Sequence, residues 1–84
     1  MQMTLIPMDN GREFLVRATD GRSDLSGKIP RELFDDELGL SSTEDDRREW
    51  IQQNADEICG VMRSLAAGIR VEPPFNRIKL EGVN

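Results

Sequence analysis

Hydrophobic residues recur at helical spacing through the second half of the chain. Ile51, Ala55, Ile58, Met62 and Leu65 follow one another at alternating intervals of four and three. At 100° per residue they stay within one narrow stripe. Trp50 and Val61 flank that stripe on one side and Cys59 and Ala66 on the other, while Gln52, Gln53, Asp56, Glu57, Arg63 and Ser64 fall outside it. The pattern predicts one amphipathic helix of about 25 residues and about 37 Å, enough to cross a small sheet. Its start is marked by Ser42 or Thr43 as the N-cap, with Ser42/Asp45 or Ser41/Glu44 as capping-box pairs. Glu44, Asp45 and Asp46 then occupy the first turn, where the positive end of the helix dipole favours them. Gly68 is the expected left-handed stop.

The first third alternates with period two. Phe14, Val16 and Ala18 share one face, and Leu15, Arg17 and Thr19 the other. Leu25, Gly27 and Ile29 alternate in the same way against Asp24, Ser26 and Lys28. Turn signals at Asp9–Gly11 and Asp20–Ser23 separate these runs from each other and from the apolar "MTLIPM" before them. A three-stranded antiparallel meander follows, with Pro7 placing the first strand at an edge. "IPRELFDDELG" predicts a short helix with Pro30 in its first turn, Ile29, Leu33, Phe34 and Leu38 on its apolar side and Gly39 as its stop; an irregular loop is the alternative. Pro73 and Pro74 predict an extended connector, and Phe75–Glu81 a last strand with Ile78 and Leu80 on one face. The expected fold is a single α+β domain over residues 1–84. A small antiparallel sheet, made of the N-terminal meander and the C-terminal strand, is packed on one face by a short helix and a long amphipathic helix.

The chain has 84 residues, enough for one core only. Its formal net charge of −5 is unevenly spread. Residues 30–62 hold ten acids against Arg31, Arg47 and Arg48, a net of −7, whereas residues 63–84 hold Arg63, Arg70, Arg77 and Lys79 against Glu72 and Glu81. An acidic total disfavours nucleic acid as a partner. A single cysteine, Cys59, rules out an intrachain disulfide. The first residues carry neither a basic nor an apolar region of a signal peptide, and no apolar run approaches the roughly 20 residues of a membrane span. A cytoplasmic protein without a membrane partner is the expectation.

With no histidine, the chain cannot build a Ser-His-Asp or Cys-His arrangement, nor a zinc site from the usual cysteine and histidine ligands. Cys59 lies mid-helix on the shoulder of the stripe, which suits a small buried residue better than a nucleophile. Asp35, Asp36 and Glu37, followed by Glu44, Asp45 and Asp46, are numerous enough to suggest Mg²⁺ or Ca²⁺. Consecutive helical residues diverge, however, and the EF-hand spacing is missing. A solvated helix end or a docking surface for a basic protein is the better reading, and neither metal nor cofactor is expected. Trp50 is expected to bury at least one face. Gly60, opposite the stripe, is either a place of close backbone approach, across a dimer for instance, or a tolerated surface position. Arg70, Phe75, Arg77 and Lys79 form a second candidate: in a strand, Phe75, Arg77 and Lys79 would share a face, as in single-strand nucleic-acid binders.

The order of elements, with "KIPRELFDDELG", "REWIQQNADEICGVMRSLAAG" and "RIKLEG", resembles the short bacterial proteins of the domain-of-unknown-function 1488 family over about Arg12 to Glu81. The resemblance implies an α+β fold with a small antiparallel sheet backed by two helices, and it implies no activity or site residue. The functional expectation is a small non-catalytic binding or regulatory protein. It docks a partner with a basic surface through Asp35, Asp36, Glu37, Glu44, Asp45 and Asp46, and a homodimer is left open. The alternatives are a nucleic-acid-binding regulator that uses the basic C-terminal strand, or an acidic nucleic-acid mimic of the kind some phage-encoded anti-defence proteins are.

Overall fold

The computed structural model describes residues 2–19 and 24–81; the turn expected at Asp20–Ser23 lies outside the described residues. Four strands, β1 (Gln2–Met8), β2 (Glu13–Thr19), β3 (Asp24–Ile29) and β4 (Lys79–Glu81), form an antiparallel sheet in the order β1-β2-β3-β4. Three helices, α1 (Arg31–Leu38), α2 (Glu44–Gln53) and α3 (Ala55–Ala66), lie between β3 and β4 in the chain, and a single 3-10 turn spans Phe75–Arg77. The α+β class and the sheet with its C-terminal fourth strand are as the residue pattern predicts, and β1 is the edge strand that Pro7 marks.

The register explains which face is dry. Met3, Leu5 and Pro7 lie opposite Ala18, Val16 and Phe14, and Leu25, Gly27 and Ile29 lie opposite Ala18, Val16 and Phe14 on the other side of β2. Phe14, Val16, Ala18, Gly27 and Ile29 are buried, and they meet Leu33 and Phe34 of α1, Ile51 of α2 and Ile58, Cys59 and Met62 of α3. Ile78, just before β4, completes this core, and Leu80 packs at its margin. The opposite sheet face carries Leu15, Arg17, Ser26, Lys28 and Lys79, none of which belongs to this core.

The helical stripe is present, but the helix that carries it is broken. Asn54 leaves helical geometry at φ −110°, ψ 20° and separates α2 from α3. Its side-chain amide donates to the carbonyl of Trp50 at 2.8 Å, and its backbone N–H is shared between the carbonyls of Trp50 and Ile51 at 3.1 and 3.2 Å. An asparagine side chain competes with the backbone for carbonyls of the preceding turn, which is why this position ends one helix instead of continuing it. The Asn54 carbonyl then accepts the Ile58 N–H at 2.9 Å, so the same residue opens α3. Ile51, Ile58 and Met62 are fully buried on either side of the break.

The helix ends are well made. Thr43 caps α2: its hydroxyl accepts the Asp46 N–H at 3.1 Å, and the Asp46 carboxylate accepts the Thr43 N–H at 3.0 Å. This capping box is shifted by one residue from the Ser42/Asp45 pairing. Asp36 and Asp45 take no part in it. Thr43→Ala is expected to cost about 1 kcal/mol. Urea denaturation followed by circular dichroism checks it, and Thr43→Ser should recover most of the loss. At the far end of α3, Gly68 has φ +77°; its N–H reaches the Leu65 carbonyl at 3.1 Å, and the Ile69 N–H reaches the Ser64 carbonyl at 2.8 Å. That is a Schellman stop. Pro30 is the N-cap of α1 and not its first helical residue. The N–H of Arg31 is satisfied by the Glu13 carboxylate at 3.2 Å, which also pairs with Lys28 at 3.3 Å, so the sheet holds the start of α1.

The last strand is shorter than Phe75–Glu81. Pro74 adopts φ −83°, ψ −8°, and the chain closes a turn there through Arg77 N–H to the Pro74 carbonyl at 3.3 Å and Ile78 N–H to the Phe75 carbonyl at 3.0 Å. The extended connector and the strand over Phe75–Arg77 are therefore replaced by a 3-10 turn. Side-chain contacts account for it: Phe75 folds back on Trp50, and Arg77 on Asp36.

Candidate functional site

The two acidic runs do not form one cluster. Helical divergence sends Asp35 and Asp36 to different surfaces. Asp35 lines an open basin with Arg12, Arg31, Leu40, Ser42 and Arg47. Asp36 and Glu37, on the next turn of surface, line a groove with Pro73, Pro74, Asn76 and Arg77, and Asp36 is paired with Arg77 at 3.0 Å. Glu44 lies against Gly11 of the β1–β2 turn and pairs with Arg48 at 3.1 Å. Asp46 borders a small depression with Leu38, Glu49, Trp50 and Gln53. Asp45 is exposed. Of the six expected docking residues, Asp36, Glu37 and Asp46 share one side of the molecule, and Asp35 and Glu44 turn toward the basic side. Among the described residues, no three of His, Cys, Asp and Glu come together in a group able to hold a metal ion.

An aromatic chain organises the acidic side. Phe14 of the sheet meets Phe34 of α1 edge-on at 6.0 Å, Phe34 meets Trp50 of α2 edge-on at 5.9 Å, and Trp50 lies beside Phe75 at 6.0 Å. The chain runs from the buried core to a half-buried end at Trp50 and Phe75. Asp46 and Glu49 on α2 border the depression at Trp50, and Asp36 and Glu37 on α1 line the groove along Pro73, Pro74, Asn76 and Arg77. Glu49 was not singled out by residue pattern, although it falls one helical turn after Asp46 and next to Trp50. The groove between α1 and the Pro73–Arg77 segment measures about 640 Å³ and the depression at Trp50 about 160 Å³.

The strip expected of a nucleic-acid binder does not assemble. Phe75 and Arg77 lie in the 3-10 turn and only Lys79 lies in β4, so the three share no strand face. Phe75 is spent on Trp50 and Arg77 on Asp36. Lys79 stands opposite Lys28 on the open sheet face, and Arg70 is exposed in the connector after α3.

On the basic side, the β1–β2 turn takes three consecutive residues through positive φ, Asp9 at 51°, Asn10 at 58° and Gly11 at 82°. Arg47 ties this turn to the entry of α2, donating to the Gly11 carbonyl at 3.1 Å and to the Ser42 carbonyl at 2.9 Å. Arg48, one residue on, lies over the Phe14 ring at 5.3 Å. Cys59 is buried in the core, and that burial raises its thiol pKa, with nearby Arg63 opposing the shift. A thiol held protonated and covered is a poor nucleophile. At Gly60 an added Cβ would meet nothing within 4 Å among the described residues, so none of them outside its own helix approaches it closely. No described helix is long and apolar enough to cross a membrane. No protein-family model, curated protein or solved structure matches the chain.

Proposed function

We propose that the chain is a non-catalytic cytoplasmic binding protein that docks a partner with a basic surface on the face around Trp50 and Phe75. One observation carries this reading: a half-buried aromatic pair at 6.0 Å, with Asp46 and Glu49 bordering the depression at Trp50 and Asp36 and Glu37 lining the groove beside the Pro73–Arg77 segment. Aromatic side chains supply anchoring area at an interface, and a rim whose unpaired charges among the described residues, Glu37, Asp46 and Glu49, are negative selects the partner and speeds encounter, Asp36 being paired with Arg77. A second copy would bring the same carboxylates to this face, so it favours a foreign partner over a homodimer. The absence of histidine and the covered thiol support a role without chemistry of its own.

The test compares pull-downs with mass spectrometry for the native chain, the Glu37→Lys/Glu49→Lys pair, and Asp56→Lys, an exposed α3 position that lines neither the groove nor the depression. The partner should be retained by the native chain and by Asp56→Lys. The double reversal should weaken it by about tenfold or more, the equivalent of about 1.4 kcal/mol. Raising salt should release it, because rim charges are screened. A partner held equally by the double reversal, or recovery of nucleic acid in its place, would overturn the reading.

A further inference from the structure

We propose that the basin between the β1–β2 turn, the start of α1 and the entry to α2 binds a small-molecule phosphate monoester. In a chain of net charge −5, three arginines, Arg12, Arg31 and Arg47, meet there around about 550 Å³, with Asp35 as the one carboxylate among the described lining residues. Two other arginines are occupied by acids, Arg48 by Glu44 and Arg77 by Asp36. Among the described residues, neither Arg12 nor Arg31 forms an ion pair. Arg47 is held in place by the carbonyls of Gly11 and Ser42, so part of the site is preorganised.

The chemistry of the lining selects the ligand. Guanidinium groups match the paired oxygens of phosphate with parallel N–H donors. Three arginines against Asp35 leave an excess of two positive charges, which a phosphate monoester near its dianionic form neutralises. A monocarboxylate would leave one uncompensated. Ser42, which directly precedes the N-cap of α2, lines the basin, so the positive end of α2 lies at its edge. That end supplies field more than hydrogen bonds, because the Asp46 N–H is already taken by the Thr43 hydroxyl. Leu40, 88 % exposed beside the arginines, offers an apolar wall to the organic group of an ester.

The test is a nuclear magnetic resonance titration of the full chain with phenyl phosphate, benzoate and phenol, reading backbone and arginine side-chain N–H signals. Phenyl phosphate should give saturable shifts centred on Arg12, Arg31, Ser42 and Arg47. Benzoate should bind about tenfold more weakly, and phenol should produce no shift there. Arg12→Gln and Arg31→Gln should each weaken phenyl phosphate several-fold without lowering the melting temperature, and Asp35→Asn should tighten it. The absence of saturable shifts, benzoate binding as well as phenyl phosphate, or equal shifts at Arg63 and Lys79 would overturn the proposal.

Discussion

Phe34→Ala is expected to remove most of the stability of this domain. The side chain is fully buried and is the link between sheet and helices, edge-on to Phe14 at 74° on one side and to Trp50 at 84° on the other. Deleting a buried phenylalanine costs about 3–5 kcal/mol through lost transfer energy and an unfilled cavity. Each aromatic contact adds about 0.5–1.5 kcal/mol beyond its buried area. Native domains hold only about 5–15 kcal/mol in all, and small ones sit toward the lower end. Neither neighbour can fill the space, because Phe14 is fixed in β2 and Trp50 in α2. Urea denaturation should show a midpoint shifted far down, or no folded baseline, and Phe34→Leu should lie between the variant and the native chain. A Phe34→Ala protein melting within a few degrees of the native one would mean that the aromatic chain is not the joint between the layers.

The opposite kind of change, adding atoms, is expected to be harmful at Gly27. This residue of β3 is buried under α3, and an added Cβ would lie 2.7 Å from the sulfur of Met62, 3.3 Å from its Cγ and 3.4 Å from Cγ2 of Ile78. Met62 is flexible by nature but fully buried, so the sulfur has nowhere to go without moving the helix. Gly27→Ala should cost about 1–3 kcal/mol, and Gly27→Val should cost more. A loss of 1 kcal/mol lowers the melting temperature of a domain this size by about 4–8 °C. Coupling separates overpacking from a strand-propensity effect: Gly27→Ala should be partly rescued by Met62→Val, whereas independent sites would simply add. A neutral or stabilising Gly27→Ala would show that α3 stands off the sheet further than these distances require.

Much of the architecture is written in short-range pattern. Phe14, Val16 and Ala18 announce a strand with one dry face, and Ile51, Ile58 and Met62 announce the face of the helices, because burial depends on periodicity that survives small changes in backbone path. The break at Asn54 is invisible to that periodicity, since Ile51 and Ile58 remain in phase across it. What breaks the helix is one side-chain amide reaching a carbonyl four residues back. The 3-10 turn at Phe75 is hidden for a related reason: the contacts that favour it, with Trp50 and Asp36, join residues distant in sequence. The charged surfaces were the least legible. Asp35 and Asp36 are adjacent in the chain yet line different hollows. Arg12, Arg31 and Arg47 are far apart in the chain yet line the same one. Adjacency in sequence is a poor guide to a shared surface where a helix turns 100° per residue, as it does between Asp35 and Asp36.

The placement of Trp50 makes the chain its own optical instrument. It is the only tryptophan, there is no tyrosine, and its ring lies half-buried beside Phe75 at the acidic face. Its emission therefore comes from a single known environment, without a second fluorophore to subtract. A protein settling on the carboxylate-rimmed face dries that ring and moves the emission to shorter wavelength. An anion entering the arginine basin touches none of the residues around Trp50, since the two hollows have no lining residue in common. Unlabelled protein in a cuvette can thus report a change at the acidic face separately from one at the arginine basin.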